Sequence, residues 1–207
     1  MQISLAQIHI DASAKACRTD RQAFYRACVL AVTSMQIPSY RFWPKLTGAY
    51  ATTANGTAIA NMNEFDGMFA YKTKVDTLQT IATNLDEIHG HISDPISLHE
   101  ALCKVRGLGA PKAGFIVQLA TGENGCIDAV NVKRLGIDKA QFLRDNRKAK
   151  GPAIYRSLLE SLGYSDANGS AKLWADWCET VGTRDGFSPE KLSEAHVHFV
   201  RNGATLL

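Results

Sequence analysis

Residues 103–120 read Cys103-Lys104-Val105-Arg106-Gly107-Leu108-Gly109-Ala110-Pro111-Lys112-Ala113-Gly114-Phe115-Ile116-Val117-Gln118-Leu119-Ala120, and after a short turn-rich gap comes Cys126-Ile127-Asp128-Ala129-Val130-Asn131-Val132-Lys133-Arg134-Leu135. Two helical patterns meet at Gly107-Leu108-Gly109, where the glycines give backbone freedom at both ends of a tight turn. Leu98, Leu102 and Val105 form the inner face of the first helix; Ala113, Ile116, Val117 and Ala120 recur at helical spacing in the second. Leu108, the one apolar residue of the turn, plugs the gap between them. Pro111 suits the first turn of the second helix, where a missing N–H costs nothing. A glycine turn that opens into a helix aims unpaired backbone N–H groups outward, which suits a phosphate oxygen. Lys104, Arg106 and Lys112 surround that turn with positive charge. Taken alone, the same short motif also fits an ordinary helical corner with its basic residues in solvent.

The rest of the chain narrows the choice. Its 207 residues are 45% hydrophobic, enough to bury a core as one domain or two closely packed lobes. Five cysteines, an odd number with no Cys-x-x-Cys pair, point to a reduced protein and exclude a four-cysteine iron–sulfur loop. No apolar run approaches the roughly 20 residues that cross a bilayer, and the first residues lack the basic and apolar regions of a signal peptide. The expectation is a cytoplasmic protein with no membrane partner. The net charge of +3 is mild, but Lys133, Arg134, Lys139, Arg144, Arg147, Lys148 and Lys150 cluster beyond Asp128. Such runs are usually solvated faces, and beside a phosphate-binding hairpin they are also what nonspecific backbone contact requires.

Periodicity predicts helices over about 12–35, 75–89, 128–135, 152–162, 173–181 and 189–202, with Pro38 ending the first. Residues 47–63, rich in Thr, Ala, Asn and Gly, fit a loop or short helices. No strand pattern is convincing, and the predicted class is all-α.

At this point the chain resembles the helix-hairpin-helix DNA glycosylase superfamily, whose hairpin precedes a short loop and a catalytic aspartate, here Asp128. Upstream, Leu30-Ala31-Val32-Thr33-Ser34-Met35-Gln36 is similar to the Leu-Leu-Ser-x-Gln segment of that fold, whose glutamine faces DNA. The resemblance implies a two-lobed glycosylase-like unit over residues 1–207, with 22–125 as the lobe that ends in the hairpin and 1–21 joined to 126–207 as the second. It implies catalytic roles for Asp128 and Gln36. Double-stranded DNA would be held by Lys104, Arg106, Gly107, Leu108, Gly109 and Lys112, assisted by Lys133 and Arg134. Tyr40, Phe42 and Trp43 would wedge or stack against bases, with core packing the competing role. No cofactor or protein-held metal site is expected, apart from a monovalent cation at the hairpin. Two departures stand out. Strand-cleaving members carry a nucleophilic lysine where this chain has Pro111, Lys112 arriving one residue late, so lyase chemistry is not expected. The frequent Asp-x-His pattern is replaced by Asp128-Ala129-Val130-Asn131.

Asp128 has a bland alternative as a helix N-cap, worth about 1 kcal/mol. Gln36 equally fits a polar cap on the helix before it. His89 with His91 and His196 with His198 invite a metal reading, but next-nearest residues on a helix face apart and no partner stands at a zinc spacing. Cys126 fits a small buried residue or a cleft thiol. Three functions follow. The first is a phage-type hypermodification transferase, resembling the α-glutamyl/putrescinyl-thymine pyrophosphorylases, that flips a pyrimidine and moves an amino acid or amine onto pyrophosphate-activated 5-hydroxymethyluracil in DNA. The second is a monofunctional glycosylase, and the third a noncatalytic hairpin module. The expected state is a monomer in a bacterial, phage-infected cytoplasm.

Overall fold

The computed structural model describes residues 4–34, 71–146 and 150–203. Gln36, Tyr40, Phe42 and Trp43, the stretch 47–63, and Arg147 and Lys148 lie outside them. The described residues contain eleven helices and no strand: α1 (Leu5–Thr19), α2 (Arg21–Thr33), α3 (Tyr71–Thr83), α4 (Leu85–His89), α5 (Pro95–Cys103), α6 (Ala110–Thr121), α7 (Ala129–Arg134), α8 (Lys139–Asn146), α9 (Gly151–Leu162), α10 (Ala167–Asp185) and α11 (Pro189–Asn202). The fold is all-α. No helix among them is long and apolar enough to cross a membrane.

Short polar side chains set most boundaries, because they offer backbone N–H groups an acceptor outside the helix ladder. The helix predicted over 12–35 is two helices. Ser4 starts α1 by accepting from Gln7 N–H at 3.1 Å, and Asp20, in extended backbone, accepts from the N–H groups of Gln22 and Ala23 to start α2. The stretch 75–89 divides at Asn84, whose side chain does not cap α4 but donates back to the Thr80 carbonyl of α3 at 2.8 Å. Asp166 and Asp138 open α10 and α8. Periodicity started α10 late and passed over α8, since Phe142 is the one buried residue of α8.

Helix α6 organises the core. Every residue from Ala113 to Thr121 is buried, and α6 packs on α1, α2, α5 and α9. A helix apolar on all sides must be central. Two apolar clusters surround it. The larger unites α1 to α6, α10 and α11, and the smaller gathers Ala110, Ile127, Val132, Phe142, Tyr155, Leu159 and Leu173. Thus α1, α10 and α11 share a core with α2 and α6.

The turn between α5 and α6 explains its glycines. Gly107 has φ +95°, and a Cβ there would overlap Thr77 Oγ1, which donates to the Arg106 carbonyl at 3.0 Å. Gly109 is the extended N-cap of α6, and Leu108 is buried in the large cluster. Gly107→Ala must therefore force a left-handed alanine and displace a stiff threonine. Gly136 also has positive φ, but a Cβ added there would meet nothing within 4 Å. In urea titrations Gly107→Ala should cost roughly 3 kcal/mol, and Gly136→Ala only about 1 kcal/mol.

Candidate active site

The loop between α6 and α7 is held by buried polar groups. Gln118, a lone amide on the apolar α6, donates to the Ser170 carbonyl at 2.9 Å and accepts from Cys126 N–H at 3.3 Å. The Tyr155 hydroxyl accepts from Ile127 N–H at 2.8 Å and donates to the Gly125 carbonyl at 3.0 Å. Asn131 donates to the Cys126 carbonyl at 2.7 Å. The Cys126 thiol donates to the Pro111 carbonyl at 3.3 Å, which ties the loop to the hairpin. Burial pushes that thiol well up, with the Asp128 charge adding to it, so it is no thiolate nucleophile at neutral pH.

This clamp ends at Asp128, which does two jobs. Its Oδ1 caps α7, accepting from Val130 and Asn131 N–H at 3.0 Å each. Its Oδ2 accepts from the Trp177 indole N–H at 2.9 Å. The capping role weighed from sequence is real, and Asp128 also lines a cavity of about 240 Å³. Trp174 and Trp177 form one wall, stacked at 5.3 Å and 9°. Phe115 stacks on Trp174 at 5.8 Å. His196 backs the wall edge-on, 5.0 Å from Trp174 and 5.7 Å from Trp177, and donates from Nδ1 to the Leu192 carbonyl.

Lys112 lines the same cavity. The sequence groups it with the outward charges of the hairpin; the fold turns its ammonium inward, where it donates to Ser34 Oγ at 3.1 Å and lies 5.5 Å from the Phe115 ring centre. No ion pair within 4.0 Å joins Lys112 to Asp128 among the described residues. Arg184 also lines the cavity and bonds the neighbouring Asp185 carboxylate through two N–H groups.

The other predicted residues lie elsewhere. Lys104, Arg106, Gly107 and Gly109 are exposed, and Lys104 and Gly109 share a separate open groove with Lys150. Lys133 is exposed. Arg134 is engaged by Asp176 at 2.9 Å and Asn131 at 3.1 Å. The paired histidines diverge: His89 bonds the Cys17 carbonyl and His91 bonds Ser97. No group of three His, Cys, Asp or Glu able to hold a metal occurs among the described residues. Sequence reasoning missed Trp177, Gln118, Arg184 and Lys74. The last, 5% exposed, donates to the Thr33 carbonyl at 3.4 Å. Its signal was present, since Lys74 stands one turn from Leu78 and two from Ile81 on the apolar face of α3.

Compared with known proteins, the chain matches no family model, no curated protein and no solved structure.

Burial lowers the His196 pKa to about 4; its bond to Leu192 opposes that shift and the Lys112 charge adds to it. An unfolded histidine takes up a proton near pH 6.5 that the folded one refuses. Stability should therefore fall as pH drops from about 7 toward 4, by about 3 kcal/mol from this group, and level off below. Urea unfolding at both ends of that window checks it: His196→Phe should lose this portion of the decline.

Proposed function

We propose that this protein processes a pyrimidine extruded from DNA, and that its reaction is transfer of an amino acid or amine onto pyrophosphate-activated 5-hydroxymethyluracil. The observation that carries the reading is the arrangement of Asp128 and Lys112, a carboxylate and an ammonium that face one aromatic-walled cavity without pairing. Opposite charges left apart beside an apolar wall forgo attraction that direct contact would supply. A reacting group between them would use both. The stacked tryptophans offer a planar surface for a base, and a cavity of about 240 Å³ is smaller than the roughly 300–1,000 Å³ typical of drug-sized ligands.

In the proposed step the amine nitrogen attacks the methylene carbon on C5 of the base, forming a C–N bond. The carbon–oxygen bond to pyrophosphate breaks, and its electron pair leaves on the pyrophosphate oxygen. The amine proton passes to Asp128 Oδ2 as general base. Trp177 holds that oxygen in place, and the N–H groups of Val130 and Asn131 fix the other. The exposed Lys104 and Arg106, with the glycine turn, would carry the DNA backbone outside the cavity. The two-lobed glycosylase-like arrangement is part of this proposal.

A second reading is supported by the inward turn of Lys112. In a DNA glycosylase, Asp128 would instead activate water or stabilise the sugar cation, and an amine in the same cavity restores the possibility of a Schiff base with the opened sugar. Borohydride would trap that adduct on Lys112.

Asp128→Asn keeps the size and the cap but removes the proton acceptor. Turnover should fall roughly 10²-fold or more with DNA affinity unchanged or slightly higher. Nucleoside mass spectrometry on DNA carrying activated 5-hydroxymethyluracil reads the product: a base heavier by the amine supports transfer, an abasic site supports the glycosylase, and wild-type turnover in a folded variant removes Asp128 from the chemistry. Duplex binding should separate the hairpin charges. Lys104→Ala and Arg106→Ala should each weaken binding to unrelated duplexes by similar factors and lower the salt slope by about one, whereas Lys112→Ala should leave that slope unchanged.

A further inference from the structure

We infer that Arg134 is a positioning residue for Asp128: its bonds to Asn131 and Asp176 set the spacing of α7 and α10, and so the place where the Asp128 carboxylate is held between them. The two oxygens of that carboxylate depend on different helices. Oδ1 accepts from the Val130 and Asn131 N–H groups of α7 at 3.0 Å each, and Oδ2 from the Trp177 indole of α10 at 2.9 Å. All three bonds survive together only while α7 and α10 keep their spacing.

Arg134 joins the same two helices. Its Nε donates to Asn131 Oδ1 at 3.1 Å, and its Nη1 donates to Asp176 Oδ2 at 2.9 Å. Asp176 directly precedes Trp177 on α10. Hydrogen bonds and that one step of backbone therefore close a circuit from Asp128 through Asn131, Arg134, Asp176 and Trp177 back to Asp128. Asn131 is 1% exposed, and its amide has one workable orientation. A guanidinium only donates, so the amide oxygen must face Arg134, which leaves the NH2 group for the Cys126 carbonyl at 2.7 Å. Arg134 thereby fixes the residue that holds both ends of the segment from Cys126 to Asp128. A lysine at this position could not do both jobs, because one ammonium nitrogen would replace a rigid fork of donors. Lys172 also reaches Asp176, at 2.9 Å, but from the exposed side of α10 and with no bond to α7. A duplex phosphate would have to displace the bonds of Arg134, whose Nη2 is buried.

The inference rests on the proposed reading only for naming Asp128 the general base, and its first test does not need that reading. In proton–nitrogen correlation spectra of the full chain, the Trp177 indole N–H, assigned through its loss in Trp177→Phe, reports where the carboxylate sits. Arg134→Lys should shift this resonance, whereas that of Trp174, bonded to Ser193, should move far less. Lys172→Met should move neither. On DNA carrying activated 5-hydroxymethyluracil, Arg134→Lys and Asp176→Asn should each lower kcat about tenfold or more with KM unchanged, since the base is misplaced while binding is not. If Arg134→Lys does not fold, Asp176→Asn carries the comparison in both measurements.

A Trp177 resonance that stays in place in the folded variant overturns the inference, and so does a shifted resonance with wild-type kcat. A salt slope of duplex binding lowered by about one in Arg134→Gln, with Trp177 unmoved, would make Arg134 a backbone contact instead. A shifted Trp177 resonance in a protein that forms no heavier base would leave the hold of Arg134 on Asp128 standing and remove the transfer reading alone.

Discussion

Burial of α6 on every side is the constraint from which the rest of the structure follows. A helix whose residues from Ala113 to Thr121 are all out of water must be wrapped, and α1, α2, α5 and α9 wrap it. Its two ends are thereby fixed relative to the core. The N-terminal end carries the glycine turn and Lys112. At the C-terminal end, the chain must leave the core through a loop whose backbone polar groups cannot all reach water. Gln118, Tyr155 and Asn131 satisfy those groups, as buried polar atoms require. The same bonds deliver Asp128 to the cavity. Close approach is part of the design: a Cβ on Gly114 would lie 2.6 Å from the Tyr155 hydroxyl.

The cavity brings together an ammonium, a carboxylate and an aromatic wall, a combination with tension in it. Each charge is partly satisfied by its own neighbours, Lys112 by Ser34 and Asp128 by the α7 backbone and Trp177. Neither satisfies the other. His196, buried behind the tryptophans and held neutral by burial, packs edge-on against both rings without adding charge. Removing the carboxylate or the ammonium would therefore change the electrostatics of the cavity more than its shape.

The hairpin has an outside and an inside. Leu108 and the positive-φ Gly107 press the turn against α3, which leaves Lys104, Arg106 and Gly109 facing water. Three residues past Gly109, the helical rotation of α6 has carried Lys112 round to the cavity. Charges adjacent in sequence thus lie on different surfaces, Lys104 and Arg106 outside and Lys112 at the cavity.

The sequence by itself determined the helical class, the hairpin with its two glycines and apolar plug, and the position of Asp128 at a helix start, because these depend on local spacing and backbone freedom. The breaks at Asp20 and Asn84, which divide two periodic stretches into four helices, were not read, because the apolar pattern runs through both of them. Only the tertiary structure decided which side chains meet. Ser34 is 78 residues from Lys112 in sequence, and Trp177 is 49 from Asp128; no local pattern encodes either pairing. Lys112 looked like another hairpin cation because spacing gives a residue's place along a helix, whereas the packing of α6 against its neighbours sets which side of that helix faces the cavity.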